Sequence, residues 1–162
     1  YESIMTSGTV GAALEASNQG VPALAFSLQV EDQGDKFDDP SRVTDRFFDA
    51  KRVVRDICGK VLANGFPQSA HVINVNIPTP VLGGYEITRL AEKLFYTGVE
   101  ERLDPRGRPY YWIDGPLHDD AAEGTDVHAV QKGNVSITPI TLDCTAFGAT
   151  DDLRGIFDRT GI

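Results

Sequence analysis

The sequence predicts an α/β protein, with a parallel-sheet portion over residues 1–82 and a β-rich extension over residues 83–162. Three observations carry this. A helix of small residues runs almost directly into a short apolar strand around Ala23-Leu24-Ala25-Phe26. A long amphipathic stripe then precedes a second strand at His71 to Ile77. After Gly83-Gly84, most segments alternate or carry turn residues as strands and hairpins do.

The first helix starts near Thr6-Ser7-Gly8-Thr9. Ser7 or Thr6 is an N-cap, whose hydroxyl accepts a bond from an amide the helix leaves unpaired. Gly8, Gly11, Ala12 and Ala13 are small enough for the helix to sit close to whatever it packs on, and Gly20 suits the position just past its end. Val21 to Leu28 is a nearly unbroken apolar run, as expected of a strand covered on both faces. Val30 to Pro40 is acidic and turn-rich, an exposed loop. Asp39-Pro40-Ser41 then opens a helix that runs from about Ser41 to Ala63. Its stripe is Val43, Phe47, Ala50, Val54, Ile57 and Val61, and Asn64-Gly65 followed by Pro67 stops it. In the strand His71 to Ile77, Ile73, Val75 and Ile77 share one face, and Val72, Asn74 and Asn76 share the other. The two asparagines either satisfy neighbouring loop backbone or sit near a site at the strand end.

Tyr85 to Leu90 alternates as a strand. Leu94 to Leu103, the turn Asp104-Pro105-Arg106-Gly107-Arg108-Pro109 and Tyr110-Tyr111-Trp112-Ile113 form a β-hairpin. Consecutive aromatics place large rings on both of its faces, which a subunit contact, a ligand stack or a neighbouring domain would explain. Asp114 to Asp126 is an acidic loop containing His118. Asp119-Asp120 near Glu123 suggests a metal, but solvated acidic loops are much the commoner case. Thr125-Asp126 caps a helical turn through Val130. Val135 to Ile140 is a strand whose Pro139 suggests an edge or a strand end. Thr150-Asp151-Asp152 opens a C-terminal helix with Leu153, Ile156 and Phe157 on one face.

The chain has 162 residues, 24 acidic against 15 basic, and a formal net charge of −9. That balance argues against binding a nucleic-acid duplex, which calls for a basic patch. The sequence shows no signal-peptide pattern and no apolar run long enough to span a membrane, so a cytoplasmic protein is expected. Cys58 and Cys144 belong to no metal-like cluster and read as buried free thiols, with a disulfide as the alternative. A parallel sheet of two strands would be poorly covered, which hints at the later part of something larger. Ser7, Gly8 and Thr9 carry the one chemical signal of the first half. A helix start with free amides, hydroxyls and a glycine favours a phosphate, although many helices begin with Ser or Thr purely as caps.

Seven segments, in order, resemble the survival protein SurE family. They are Ser7 to Glu15, Gly20 to Ser27, Asn74-Val75-Asn76-Ile77-Pro78, Ile87-Thr88-Arg89-Leu90, Asp104 to Ile113, Gly124-Thr125-Asp126 and Gly133 to Ile140. The resemblance implies the later part of a Rossmann-like SurE fold with a protruding β-hairpin extension. It implies a metal-dependent phosphatase that hydrolyses nucleoside 5′- and 3′-monophosphates. A divalent metal, magnesium or manganese, and assembly as a homodimer or tetramer are further implications. Family members use the hairpin, and in some cases an exchanged C-terminal segment, to hold subunits together. The family's metal ligands are an Asp pair in N-D-D-G, a Ser in a later loop, and an Asn in G-x-N-x-G-x-N, and they lie upstream of this chain. Asp38-Asp39, Asp119-Asp120 and Asp151-Asp152 neither follow an apolar strand nor precede Gly, so no metal ligand carries over. Only Ser7-Gly8-Thr9 matches an active-site element, the phosphate-binding helix start, and the chain alone is expected to be inactive.

The competing reading is a non-catalytic oligomerisation or interaction domain, resting on the aromatic hairpin and the C-terminal helix. A serine hydrolase fails because no G-x-S-x-G occurs and Ser7 has no evident His partner. The sequence upstream of Tyr1 separates the first two readings.

Overall fold

The computed structural model describes residues 4–30, 47–92, 98–114 and 121–158. Helix α1 is Gly8–Asn18, strand β1 Ala23–Leu28, helix α2 Phe48–Asn64 and strand β2 Val72–Ile77. Strands β3 (Tyr85–Ile87), β4 (Gly98–Leu103) and β5 (Pro109–Asp114) follow. Helix α3 (Asp126–Gln131), strand β6 (Val135–Ile140) and helix α4 (Thr150–Asp158) complete the described chain. One mixed sheet has the order β1-β2-β6-β3, and β4-β5 forms a second sheet of its own.

The parallel pairing of the first two strands holds, with Ala23 opposite Val72 and Leu28 opposite Ile77. Strand β6 runs antiparallel to β2, and β3 runs parallel to β6. The sheet therefore crosses the boundary drawn at residue 82, since β3 and β6 are bonded into the same layer as β1 and β2. Strand β6 is interior, not an edge, and Pro139 is its next-to-last residue, so the strand-end alternative holds. Pro139 is tolerated there because β3 reaches only Val135 to Ile137, so no β3 residue stands opposite the missing N–H.

Each face of the sheet has its own apolar cluster. Ile73, Val75 and Ile77 pack with Ala50, Val53 and Ile57 of α2, and with Val135. On the other face, Val10 and Ala13 of α1 meet Ala25, Val72 and Ile140. The alternation read from β2 thus sorts correctly onto two helices. Strand β1 departs from the expected double cover. It begins at Ala23, with Val21 58% exposed, and only Ala25 is fully buried, because β1 has a sheet partner on one side only among the described residues. Helix α2 begins at Phe48 rather than near Ser41, and residues 31–46, with the acidic loop and the helix start read at Asp39-Pro40-Ser41, lie outside the described residues. Its buried stripe runs through Val53, which the 3–4 spacing passed over, while Phe47 is exposed outside the helix.

Tertiary ties fix these elements. Ser17 Oγ donates to the His71 carbonyl oxygen at 3.0 Å, joining the end of α1 to the start of β2. The strand expected over Tyr85 to Leu90 stops at Ile87, and Arg89 instead bridges Thr125. Just before it, Thr88 Oγ1 joins Ser136 and Thr138 of β6 in a buried hydroxyl cluster at 2.8 and 2.6 Å. The Lys60 ammonium lies 4.6 Å from the Tyr85 ring centroid. Gly83 approaches so closely that a Cβ there would overlap Asn134 Oδ1.

The hairpin β4-β5 forms as expected, with Glu101 opposite Tyr111 and Glu100 opposite Trp112. Its aromatics do occupy both faces, and Tyr111 and Trp112 remain 64% and 43% exposed. Arg102 stacks over Trp112 at 5.5 Å and pairs with Glu100 at 2.6 Å. On α4, Leu153, Ile156 and Phe157 are exposed. Cys58 and Cys144 are free as read, but Cys58 is only half-buried and Cys144 is exposed. The segment holding His118 and Asp119-Asp120 lies outside the described residues.

Candidate active site

Helix α1 runs antiparallel to the strand it precedes, so its N-terminus stands over the carboxyl end of β1. A cleft of about 320 Å³ opens there. Its walls include Ser7, Thr9 and Val10 of the helix start, Ser27 to Val30 at the end of β1, and Asn74 and Asn76 of β2. Leu90, Ala91, Glu92, Asp126 and Val127 close the far side. Ser7 is the N-cap, and its Oγ accepts from the Val10 amide at 3.2 Å. The cap reading is therefore correct, and it leaves the hydroxyl proton available to a ligand, since a hydroxyl both accepts and donates. Thr9 lines the cleft, whereas Gly8 is exposed and is not a lining residue. A Cβ at Gly8 or Gly11 would meet nothing within 4 Å, so these glycines do not serve close packing of the helix.

Both asparagines line this cleft. Asn74 is 4% exposed, and its Oδ1 is enclosed without a hydrogen-bond partner. Its cross-strand neighbours are Ala25 and Thr138. Ala25 has no polar group to offer, and the Thr138 hydroxyl is engaged with Thr88. Asn74 thus satisfies no loop backbone through Oδ1.

Gln29 and Asp126 are the lining groups the sequence did not single out for this site. The Gln29 carboxamide accepts from the Thr79 amide at 3.2 Å. Asp126 was legible only as part of a helix start; its Oδ1 accepts from Ala91 N at 2.8 Å and Val127 N at 2.9 Å, tying the far wall together. Thr125 caps the same helix through His128 N at 3.3 Å.

No Lys, Arg or His is among the described lining residues, while Glu92 and Asp126 are. An anion here meets amides and hydroxyls on one side and carboxylates on the other. A cation would offset that imbalance, but the described residues contain no group of three or more His, Cys, Asp or Glu to hold one. They do not supply a metal's ligand set.

A helix N-terminus beside a cleft at the carboxyl ends of parallel strands defines the class: an α/β protein with its cleft where open α/β sheets hold their ligands. Comparison with known proteins places it further. The profile of the family "Survival protein SurE" matches residues 2–97, and the chain belongs to that family. It is 84% identical over 158 residues to the 5′-nucleotidase SurE of Methanoculleus marisnigri, covering 98% of this chain and 60% of that protein. It is 72% identical over 157 residues to the 5′-nucleotidase SurE of Methanoregula boonei, covering 97% of this chain and 60% of that protein. The crystal structure of the SurE protein from Aquifex aeolicus matches with a TM-score of 0.73 and 34% identity, over 97% of this chain and 60% of that one. The chain therefore spans about 60% of the length of these relatives.

Proposed function

We propose that the full-length protein is a metal-dependent phosphatase that hydrolyses nucleoside 5′- and 3′-monophosphates. The observation that carries this is the α1 N-terminus, with Ser7 and Thr9 opening into a cleft at the carboxyl ends of β1 and β2. The relatives named 5′-nucleotidase support the substrate class. The phosphate lies against Ser7 and Thr9, which line the cleft as Gly8 does not, and there amides, hydroxyls and the helix dipole stabilise charge on its oxygens. The lack of basic side chains among the described lining residues supports dependence on a divalent cation, magnesium or manganese, held by ligands upstream of this chain. The protein is cytoplasmic and assembles as a homodimer or tetramer through the hairpin, whose exposed Tyr111 and Trp112 support that role. The same surface favours the second reading, an interaction domain without catalysis.

Hydrolysis of adenosine monophosphate by the full-length protein, with magnesium or manganese and then with a chelator, tests the proposal. Turnover that chelation abolishes is expected. No release of phosphate from any nucleoside monophosphate would leave only the interaction domain.

A further inference from the structure

We propose that Gln29 is a substrate-contact residue of the cleft, donating through its Nε2 to an oxygen of the bound phosphate. The inference rests on the phosphatase reading above.

Gln29 directly follows β1 and is tied to the chain at the end of β2. Its backbone N donates to the Ile77 carbonyl oxygen at 2.8 Å. Its own carbonyl accepts from Thr79 Oγ1 at 2.8 Å. Its side-chain Oε1 accepts from the Thr79 amide at 3.2 Å. The last bond fixes which way round the carboxamide lies. A backbone N–H can be met only by the oxygen, so the opposite end is the NH2 group, which donates and does not accept. Nε2 has no hydrogen-bond partner among the described residues, and unlike Asn74 Oδ1 it is not enclosed. Gln29 is half-buried and lines the cleft. The wall therefore carries a donor that is held in place, open and unused.

Such a donor takes an acceptor, and a charged oxygen makes the stronger bond. The described lining residues include carboxylates but no Lys, Arg or His, so an oxyanion held here relies on neutral donors. Asn76 is another carboxamide in the wall. Its side chain makes no hydrogen bond to a described residue, so nothing sets which of its ends a ligand meets. Gln29 is preset by Thr79 and loses less freedom when a ligand arrives. A phosphate has oxygens pointing in several directions. A contact from Gln29 on the β1 side is thus compatible with contacts from Ser7 and Thr9 on the α1 side, and it requires no particular direction of the ester group.

The test is calorimetric binding of inorganic phosphate to the full-length protein with magnesium or manganese, beside hydrolysis of adenosine 5′-monophosphate and thermal melting. Gln29→Glu keeps an oxygen for the Thr79 amide and loses the donor. Gln29→Met loses both and adds no charge. In Gln29→Glu the Kd for phosphate should rise by on the order of 10- to 100-fold at an unchanged Tm. A residue that serves only to hold the end of β2 would not give that split. Gln29→Met should weaken phosphate by about 10-fold and lower Tm as well. Unchanged phosphate affinity in Gln29→Glu overturns the proposal, and so does a loss confined to Gln29→Glu, which would be an effect of its charge. A raised KM for the nucleotide with unchanged phosphate binding would put the contact on the nucleoside, and overturns it too. Should Gln29→Met fail to fold, isotope labelling of the glutamine side chains reads the contact in the wild type. Phosphate must then shift the NH2 resonances that Gln29→Glu lacks, and unmoved resonances overturn the proposal. A wild type that binds phosphate through Gln29 yet hydrolyses no monoester fails the phosphatase reading alone. An active wild type whose variants bind phosphate normally fails only this inference, and a wild type that binds no phosphate overturns both.

Discussion

At the residue scale, one hydroxyl can carry two duties. Ser7 Oγ accepts from Val10 N and so caps α1, yet it lines the cleft as well. A Ser7 variant therefore mixes lost helix stability with lost ligand contact. Thr9 is the cleaner probe. It is exposed at the second helical position and lines the same cleft. Thr9→Val in the full-length protein should leave Tm nearly unchanged. It should weaken phosphate binding by about 1.5–3 kcal/mol, the usual value of a hydrogen bond to a charged oxygen. Inhibition by inorganic phosphate measures this directly, and an unchanged inhibition constant would assign Thr9 to the helix alone.

At the element scale, the joint between α2 and β3 is sensitive to alkali. Burial first, and the Asp56 carboxylate second, push the Tyr85 phenol from 10.0 up to about 12. A raised value means that the fold favours the neutral phenol. Its contribution is fully present below about pH 10 and is lost as pH rises through 12. Stability of the wild type should fall across that window more steeply than that of Tyr85→Phe, as read from urea midpoints at each pH. Parallel slopes would mean that Tyr85 titrates equally in both states. The hairpin β4-β5 is the other informative element. It forms a sheet separate from the main one, so covering one of its faces leaves rings exposed on the other. Such a patch usually marks an interface, and Tyr and Trp are common interface anchors. Deleting residues 101–113 from the full-length protein should reduce the oligomer seen by sedimentation. An unchanged assembly would place the subunit contact elsewhere.

At the scale of the whole molecule, the cleft is one-sided. Amides and hydroxyls approach from α1 while Glu92 and Asp126 stand across from it, with no basic side chain among the described lining residues. The relatives are longer, and the chain spans about 60% of their length. Run beside the full-length protein in the hydrolysis assay, the 162-residue chain should release no phosphate even with magnesium or manganese. Metal-dependent turnover by the chain alone would place the ligands within it.

The sequence by itself determined what depends on near neighbours. Ser7 and Thr125 cap helices because a hydroxyl reaches amides three residues on. Gly20 ends α1 because it takes a φ of 85° that other residues avoid. The alternation of β2 separated its two core faces, and Asp104 to Pro109 announced the hairpin turn. The seven family-like segments were legible because they are local strings. Tertiary structure alone decided which strands are neighbours. Pro139 reads as an edge or a strand-end residue; it is next to last in an interior strand, past the reach of an adjoining strand only three residues long. The surroundings of Asn74 were equally hidden. An asparagine on an apolar strand carries no local mark of whether its amide is satisfied. That depends on Ala25, on Thr138 and on the N-terminus of α1, which pairing and packing bring to it from up to 67 residues away along the chain.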